Sequence, residues 1–480
     1  MITGGPLVLP VPGDPTVAIE VRVRTGSAED LPGREGLANL VARIVGEGGS
    51  RRRDRAALLE AWYPTGATPE VRVDREWTCF RVTVPREHAE TAADLLAESL
   101  AEPGFREEDI ARHRLAALAA IRHGLRFGDD EELAKAALWS LAFAGSGYRH
   151  PVVGTVAGLE AIRRAELIAF WERWYRFRNL AWGIAGAVPP GLVSRLERAL
   201  AGLPGGTAMV PSPAPAPALP AGTTAILVAK AGADASISIG RPSPPRRGES
   251  AFYGAALATS WLGEHRSSVG RLFQVLREQR GLNYGDYAYL EAFPDAGARQ
   301  FPPPGVLRRS PLFEIWIRTL PADAALFAVR AALAEVDRLV ERGIPGDELG
   351  AIRAFNERYR WHQEASIADR LGHALDDLAV GLRHEGHLAR LRRLAAELGP
   401  DEITSAARRA MRPDRLGLAV VTGSPAELAA GLERGEAAAP RYRTDKPPAI
   451  READRAYLAR ELVVPRERIT IVPVEEIFER

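Results

Sequence analysis

Apolar positions recur along the chain with two spacings. Val17-Ala18-Ile19-Glu20-Val21-Arg22-Val23-Arg24, Phe80-Arg81-Val82-Thr83-Val84 and Leu312-Phe313-Glu314-Ile315-Trp316-Ile317 alternate apolar with polar or bulky residues, the pattern of strands. Glu107 to Phe127 and Asp323 to Arg342 carry apolar residues every three or four positions, as long amphipathic helices do. The strands come in groups and not in strict alternation with helices, which predicts an α+β architecture over a doubly wound parallel sheet.

The pattern also repeats. Asn179 to Gly186 is an apolar strand followed by Pro190 and a helix ending in Leu196-Glu197-Arg198, and Arg415 to Gly423 leads in the same way to Pro425 and Leu432-Glu433-Arg434. Each half opens on strand sequence (Val17 to Arg24, Ala235 to Gly240) followed by a long helix, so duplication of one unit is expected. Between the halves, Pro204-Gly205-Gly206 through Pro211, Pro213, Pro215, Pro217 and Pro220 excludes helix and central strand and reads as a semi-rigid linker. The expected division is 1–205, linker 206–222, 223–435, and a tail 436–480 ending in the strand-like run Ile469 to Val474.

Composition narrows the function. A chain of 480 residues exceeds one hydrophobic core, and 46% hydrophobic with 26% charged residues is ordinary for a soluble folded protein. With 63 basic against 62 acidic residues the net charge is +1, so no global field draws nucleic acid or an anionic membrane. No apolar run approaches the roughly 20 residues that span a bilayer. Met1 to Pro6 leads almost directly into strand-like sequence without a basic start or apolar leader. A cytoplasmic location is expected as the sequence stands, and a periplasmic one if a leader was removed. Cys79, the single cysteine, excludes an internal disulfide and reads as a small buried side chain.

Gly36 to Val45 forms a helix with Leu37, Leu40, Val41, Ile44 and Val45 on one face and Asn39, Ala42 and Arg43 on the other. In the second half, Arg271 to Arg280 reads as a helix stopped by Gly281 and followed by a strand from Tyr284 to Phe293. Alone, Arg277 is a cation near a helix C-terminus and Tyr284 a half-buried strand aromatic. None of the nine His residues stands in an H-E-x-x-H or H-x-x-E-H frame. His384 and His387 have one-turn spacing, but Gly386 weakens a helix there and no third ligand is evident, so a solvated helix face is expected.

On these residues the chain resembles the pitrilysin/insulinase-type zinc peptidases, also called inverzincins. Supporting stretches are Arg75-Glu76-Trp77-Thr78, His150-Pro151, which reads as a structural loop, and the repeated strand before Gly186. In active members the first helix carries H-x-x-E-H, whose His side chains bind zinc and whose Glu activates water. The resemblance puts Asn39 and Arg43 at the His positions and Ala42 at the Glu position, and the third ligand, a Glu on a later helix, falls at Ala120. Alanine has no group to activate water, and the guanidinium of Arg43 repels a dication. The family's second signature, an Arg near a helix end and a Tyr at the start of the next strand, is filled by Arg277 and Tyr284. A guanidinium and a phenol donate hydrogen bonds to peptide carbonyls, and the phenol stabilises the oxyanion formed when water attacks.

The resemblance implies two homologous halves arranged as a clamshell. It also implies that this chain, inactive alone and binding no metal of its own, supplies Arg277 and Tyr284 to the zinc site of a homologous H-x-x-E-H partner, as in bacterial members that divide the work between two chains. A heterodimer acting on peptides is then expected. The alternatives are an inactive scaffold, like the core subunits of respiratory complexes, or a peptide-binding module without peptidase activity. Thr68-Pro69-Glu70 stands where active members offer an Asn-bearing edge strand to substrate, and Pro69 lacks a ladder donor. Trp261 to Gly270 lacks the Gly-rich lid of mitochondrial processing subunits, which argues against presequence processing.

Overall fold

The computed structural model describes residues 5–264, 269–293, 301–382 and 384–480, so part of the Trp261 to Gly270 stretch lies outside the described residues. The first sheet contains β1 (Leu7–Pro10), β2 (Thr16–Val23), β3 (Glu70–Val73), β4 (Thr78–Pro85) and β5 (Leu180–Gly186), in the order β1-β5-β2-β4-β3. The second contains β6 (Gly222–Ala229), β7 (Ala235–Pro242), β8 (Asp286–Leu290), β9 (Leu312–Leu320), β10 (Arg415–Thr422) and β11 (Ile469–Pro473), in the order β11-β6-β10-β7-β9-β8. Without β11 the two orders are the same strand for strand. The directions agree as well: β1 with β5 and β6 with β10 are parallel, and the other corresponding pairs are antiparallel. The chain is thus an α+β protein built from a duplicated unit.

The halves are interlocked. The helix Asp130–Ala142 of the first half lies on the second sheet, where Leu138 packs over Gly240 and Gly417 so closely that an added Cβ would stand 3.1 and 2.7 Å from its methyl carbons. Reciprocally, the helix Ile367–Val380 of the second half lies on the first sheet, with Ile367, Leu371 and Leu375 against Ala18, Ala181 and Ala185. Strands walled on both faces carry little but apolar and small residues, which is why every residue of β5 is buried. The Pro-rich segment forms no helix or strand from 204 to 221, but it is pinned to the surface. Ala218 N–H donates to Ala142 O at 3.1 Å, and the Ser310 hydroxyl to Pro215 O at 2.7 Å. At the far end β11 pairs with β6, and Ile477 and Phe478 are buried in the core of the first half.

Charges of alternating sign cross the join. Arg81 donates to Glu20 at 2.8 Å, Glu20 and Asp376 both pair with Arg22, and Asp376 also meets Arg247 at 3.4 Å. Arg247 then donates to Glu291 at 2.6 Å, Glu291 accepts from the Arg308 amide at 3.1 Å, and Arg308 pairs with Asp74. The sequence starts in the first half, runs through the second and returns to the first.

Glu314 of β9 lies in the same join, 3% exposed and facing Lys135 and Trp139 of the first half. Burial pushes its carboxyl from the ordinary 4.5 up to about 8, against the pull of Lys135. The folded form therefore holds a proton that the unfolded chain releases, and this contribution to stability is present at low pH and lost as pH rises through about 8. Glu314→Gln is expected to flatten the decline of melting temperature between about pH 5 and 8. Equal slopes for variant and parent would assign the dependence to other groups.

Candidate functional site

The helix carrying Asn39, Ala42 and Arg43 spans Leu37–Glu47 and starts at Gly36, whose φ of 108° suits glycine. The expected polar face is not exposed. Asn39 is 8% and Ala42 0% exposed, because the helices Glu107–Ala119 and Arg164–Trp174 and the edge strand β3 close over the helix. Arg43 reaches the solvent side and donates to Glu47 at 2.5 Å. Near it, His113 lies 3.9 Å from Glu47, with burial pulling its pKa down to about 4, so its ring is neutral at physiological pH. Ala120 is exposed and begins a wide-turn segment, Ala120–Gly128, where a continuous α-helix was expected through Phe127. These residues do not fit a zinc ion: a methyl group and an ion-paired guanidinium offer no ligand. Among the described residues no group of three or more His, Cys, Asp or Glu side chains is arranged to hold a metal.

Arg277 and Tyr284 are brought together. The helix ahead of Gly281 also widens, over Phe273–Glu278, where Gln279 N–H donates to Gln274 O at 3.1 Å. Such insertions concentrate at functional sites. Gly281 then turns the chain with φ +66°. The strand begins at Asp286 and ends at Leu290, a correction to the expected Tyr284 to Phe293. Its cause is Asn283, which donates to Asp286 at 2.6 Å and to Arg318 O at 3.0 Å and holds a turn ahead of the ladder. Tyr284 therefore stands outside the strand, 66% exposed. The Arg277 guanidinium lies 4.7 Å from the centre of its ring, and Arg318 lies 5.1 Å from it.

Arg318 was not singled out from sequence. It is held by Glu131 of the first half at 3.0 Å, so the setting of Tyr284 depends on both halves. The available signal was the alternation in β9, which puts Glu314, Trp316 and Arg318 on the face opposite Phe313, Ile315 and Ile317. Beneath the pair, Asp286 is fully buried, and burial pushes its carboxyl well above the usual range against the pull of Asn283, Arg318 and Arg277.

The solvated face expected for His384 and His387 is corrected. The helix begins at His387, which is 8% exposed and packs 5.7 Å from Phe252 and 5.5 Å from Tyr253, while His384 precedes it. Cys79 is buried, and His150 is buried with Nδ1 2.9 Å from Pro151 O, as a structural loop residue. No helix among the described residues is long and apolar enough to cross a membrane.

Two duplicated α+β halves arranged as a clamshell define a class, that of the insulinase-type peptidases and their relatives. Residues 9–155 match the family model of insulinase (peptidase family M16), and residues 161–355 that of the peptidase M16 inactive domain. The chain belongs to this insulinase family, M16. Uncharacterized zinc proteases are among its relatives. That of Streptomyces coelicolor is 26% identical over 333 residues, covering 68% of this chain and 67% of the relative. That of Bacillus subtilis is 24% identical over 283 residues, covering 59% and 66%, so the match spans about two thirds of the relatives' lengths. The fold is shared with a peptidase M16 inactive domain of Pseudomonas fluorescens (TM-score 0.75, 19% identity, 86% of this chain and 94% of that one). It is shared also with a protease of Helicobacter pylori (0.75, 14%, 88% and 98%) and a chain of complex III of Candida albicans (0.66, 13%, 86% and 92%).

Proposed function

We propose that this chain is the substrate-binding subunit of a two-chain zinc peptidase, supplying Arg277 and Tyr284 to a zinc site that a homologous H-x-x-E-H subunit provides. The observation that carries the reading is the contrast between the two sites. Arg43 is committed to Glu47 where a ligand would be needed, whereas Tyr284 is exposed, with the guanidinium groups of Arg277 and Arg318 4.7 and 5.1 Å from the centre of its ring. These contacts fix the ring and leave the phenol to solvent, so its O–H donates to a peptide carbonyl and stabilises the oxyanion that forms there. Arg277 adds a cationic donor to a neighbouring carbonyl of the same peptide. The zinc chemistry belongs to the partner, and this chain binds and orients peptide.

The test is reconstitution with an H-x-x-E-H homologue encoded beside this chain. Hydrolysis of an unstructured peptide by the mixture, and by neither chain alone, is expected. Full activity of the homologue alone, unchanged by adding this chain, would instead make this subunit a scaffold or a separate peptide binder.

A further inference from the structure

Tyr284 is tied to Arg318 by more than the ring contact. Asn283, the residue before it, donates to Arg318 O at 3.0 Å, and the Arg318 amide donates to O of Gly285, the residue after it, at 3.3 Å. The Arg318 guanidinium lies 5.1 Å from the Tyr284 ring and is held in turn by Glu131 at 3.0 Å. With Tyr284 66% exposed, contacts of this kind set its ring in place of a packed core.

Glu131 is itself placed by the turn ahead of it. Its helix, Asp130–Ala142, is capped by Asp129, whose carboxylate accepts from the Glu131 and Glu132 amides at 3.0 Å each. The widened turn Ala120–Gly128 runs directly into that cap, and Arg126 within it is 5% exposed. Arg126 directs its donors to the far end of the chain: Nε and Nη2 donate to Ile477 O at 2.9 and 2.7 Å, and Nη2 also to Glu479 at 2.8 Å.

Residues 477–479 are seated in the first half. Ile477 and Phe478 are 5% and 7% exposed in its core, Val156 N–H donates to Phe478 O at 3.1 Å, and Ala157 N–H to Glu479 O at 2.9 Å. Yet Phe478 has φ +58°, a left-handed conformation that a residue with a side chain keeps only while its surroundings hold it there. A segment anchored at so few points, and strained at one of them, opens at lower free energy than the core does.

We propose that Arg126 and Glu131 are positioning residues for Tyr284, and that residues 477–479 are the latch that keeps them in place. Docked, the latch fixes Arg126, the cap at Asp129, the grip of Glu131 on Arg318, and so the turn that carries Tyr284. Released, it frees Glu131, and the Tyr284 ring leaves its setting. The consequence for hydrolysis rests on the proposed function, while the coupling of latch to ring does not.

The experiment is fluorine NMR of the full chain labelled with 3-fluorotyrosine, below the melting temperature of each variant, with the Tyr284 resonance identified by its loss in Tyr284→Phe. Phe478→Asp should move that resonance at least halfway to the position of free fluorotyrosine and speed hydrogen exchange at the Val156 and Ala157 amides roughly tenfold or more. Phe478→Leu should restore both. Arg126→Gln, which leaves the apolar anchor intact, should repeat the shift and serves if Phe478→Asp does not fold. Glu131→Ala should move the resonance while exchange at Val156 and Ala157 stays at the parent rate, because the latch remains docked. In the reconstituted peptidase Glu131→Ala should lower kcat roughly 10- to 100-fold with little change in KM. The proposal is overturned if the resonance stays put once Phe478→Asp or Arg126→Gln has accelerated exchange, or if Glu131→Ala leaves it unmoved. Absence of any hydrolysis by the parent with its partner would refute the proposed function instead, and the resonance alone would then support or overturn the latch.

Discussion

Replacing Arg22 by methionine is expected to lower the unfolding free energy by about 3 kcal/mol, read as a fall in the urea midpoint at unchanged slope. Arg22 is 1% exposed and lies between Glu20 at 0% and Asp376 at 1%, and it donates to Gly372 O at 2.7 Å. Methionine keeps much of the volume and removes the charge, so two carboxylates are left in a dry join. Loss of one partner from a buried ion pair typically costs about 3–5 kcal/mol. The lower end applies because each carboxylate keeps another partner: Arg81 for Glu20, and Arg247 with the Gly305 amide for Asp376. A loss under about 1 kcal/mol, the range of an exposed pair, would mean that water reaches the join.

In the reconstituted peptidase, Tyr284→Phe is expected to reduce kcat by about 10² to 10³ with little change in KM. The phenyl ring keeps its contacts with Arg277 and Arg318, so the variant removes only the hydroxyl. An interaction that strengthens as the oxyanion forms appears in kcat and not in ground-state binding. Arg277→Ala removes a charged donor that also holds the resting substrate, so KM should rise as well. A hydrogen bond to a charged group contributes about 1.5–3 kcal/mol, or roughly 10- to 100-fold in kcat/KM. Peptidase activity unchanged by both substitutions would make the pair an idle inheritance.

Much of this was readable from residue order, and the reasons differ by element. The duplication showed because β5 and β10 are walled on both faces and run almost wholly apolar. The proximity of Arg277 to Tyr284 showed because the two residues are local in sequence. Periodicity says that a helix has a buried face but not whose sheet covers it, so the exchange of Asp130–Ala142 and Ile367–Val380 stayed hidden. Alternation in β2 leaves Glu20 and Arg22 on a face that suggests water, yet both are buried because Asp376 arrives from far along the chain. The widened turns at Ala120 and Phe273 depend on packing around them, and residue type alone does not signal them. Arg318 gains its role from Glu131 across the join.

The proposed function rests on the metal: the helix with Asn39, Ala42 and an ion-paired Arg43 offers a zinc ion no imidazole, carboxylate or thiolate at these positions. The most direct measurement is the zinc content of the isolated chain by atomic emission, after exposure to excess zinc and removal of the unbound metal. The account predicts no zinc above background. One tightly held zinc per chain, lost on replacing Asn39, would contradict it.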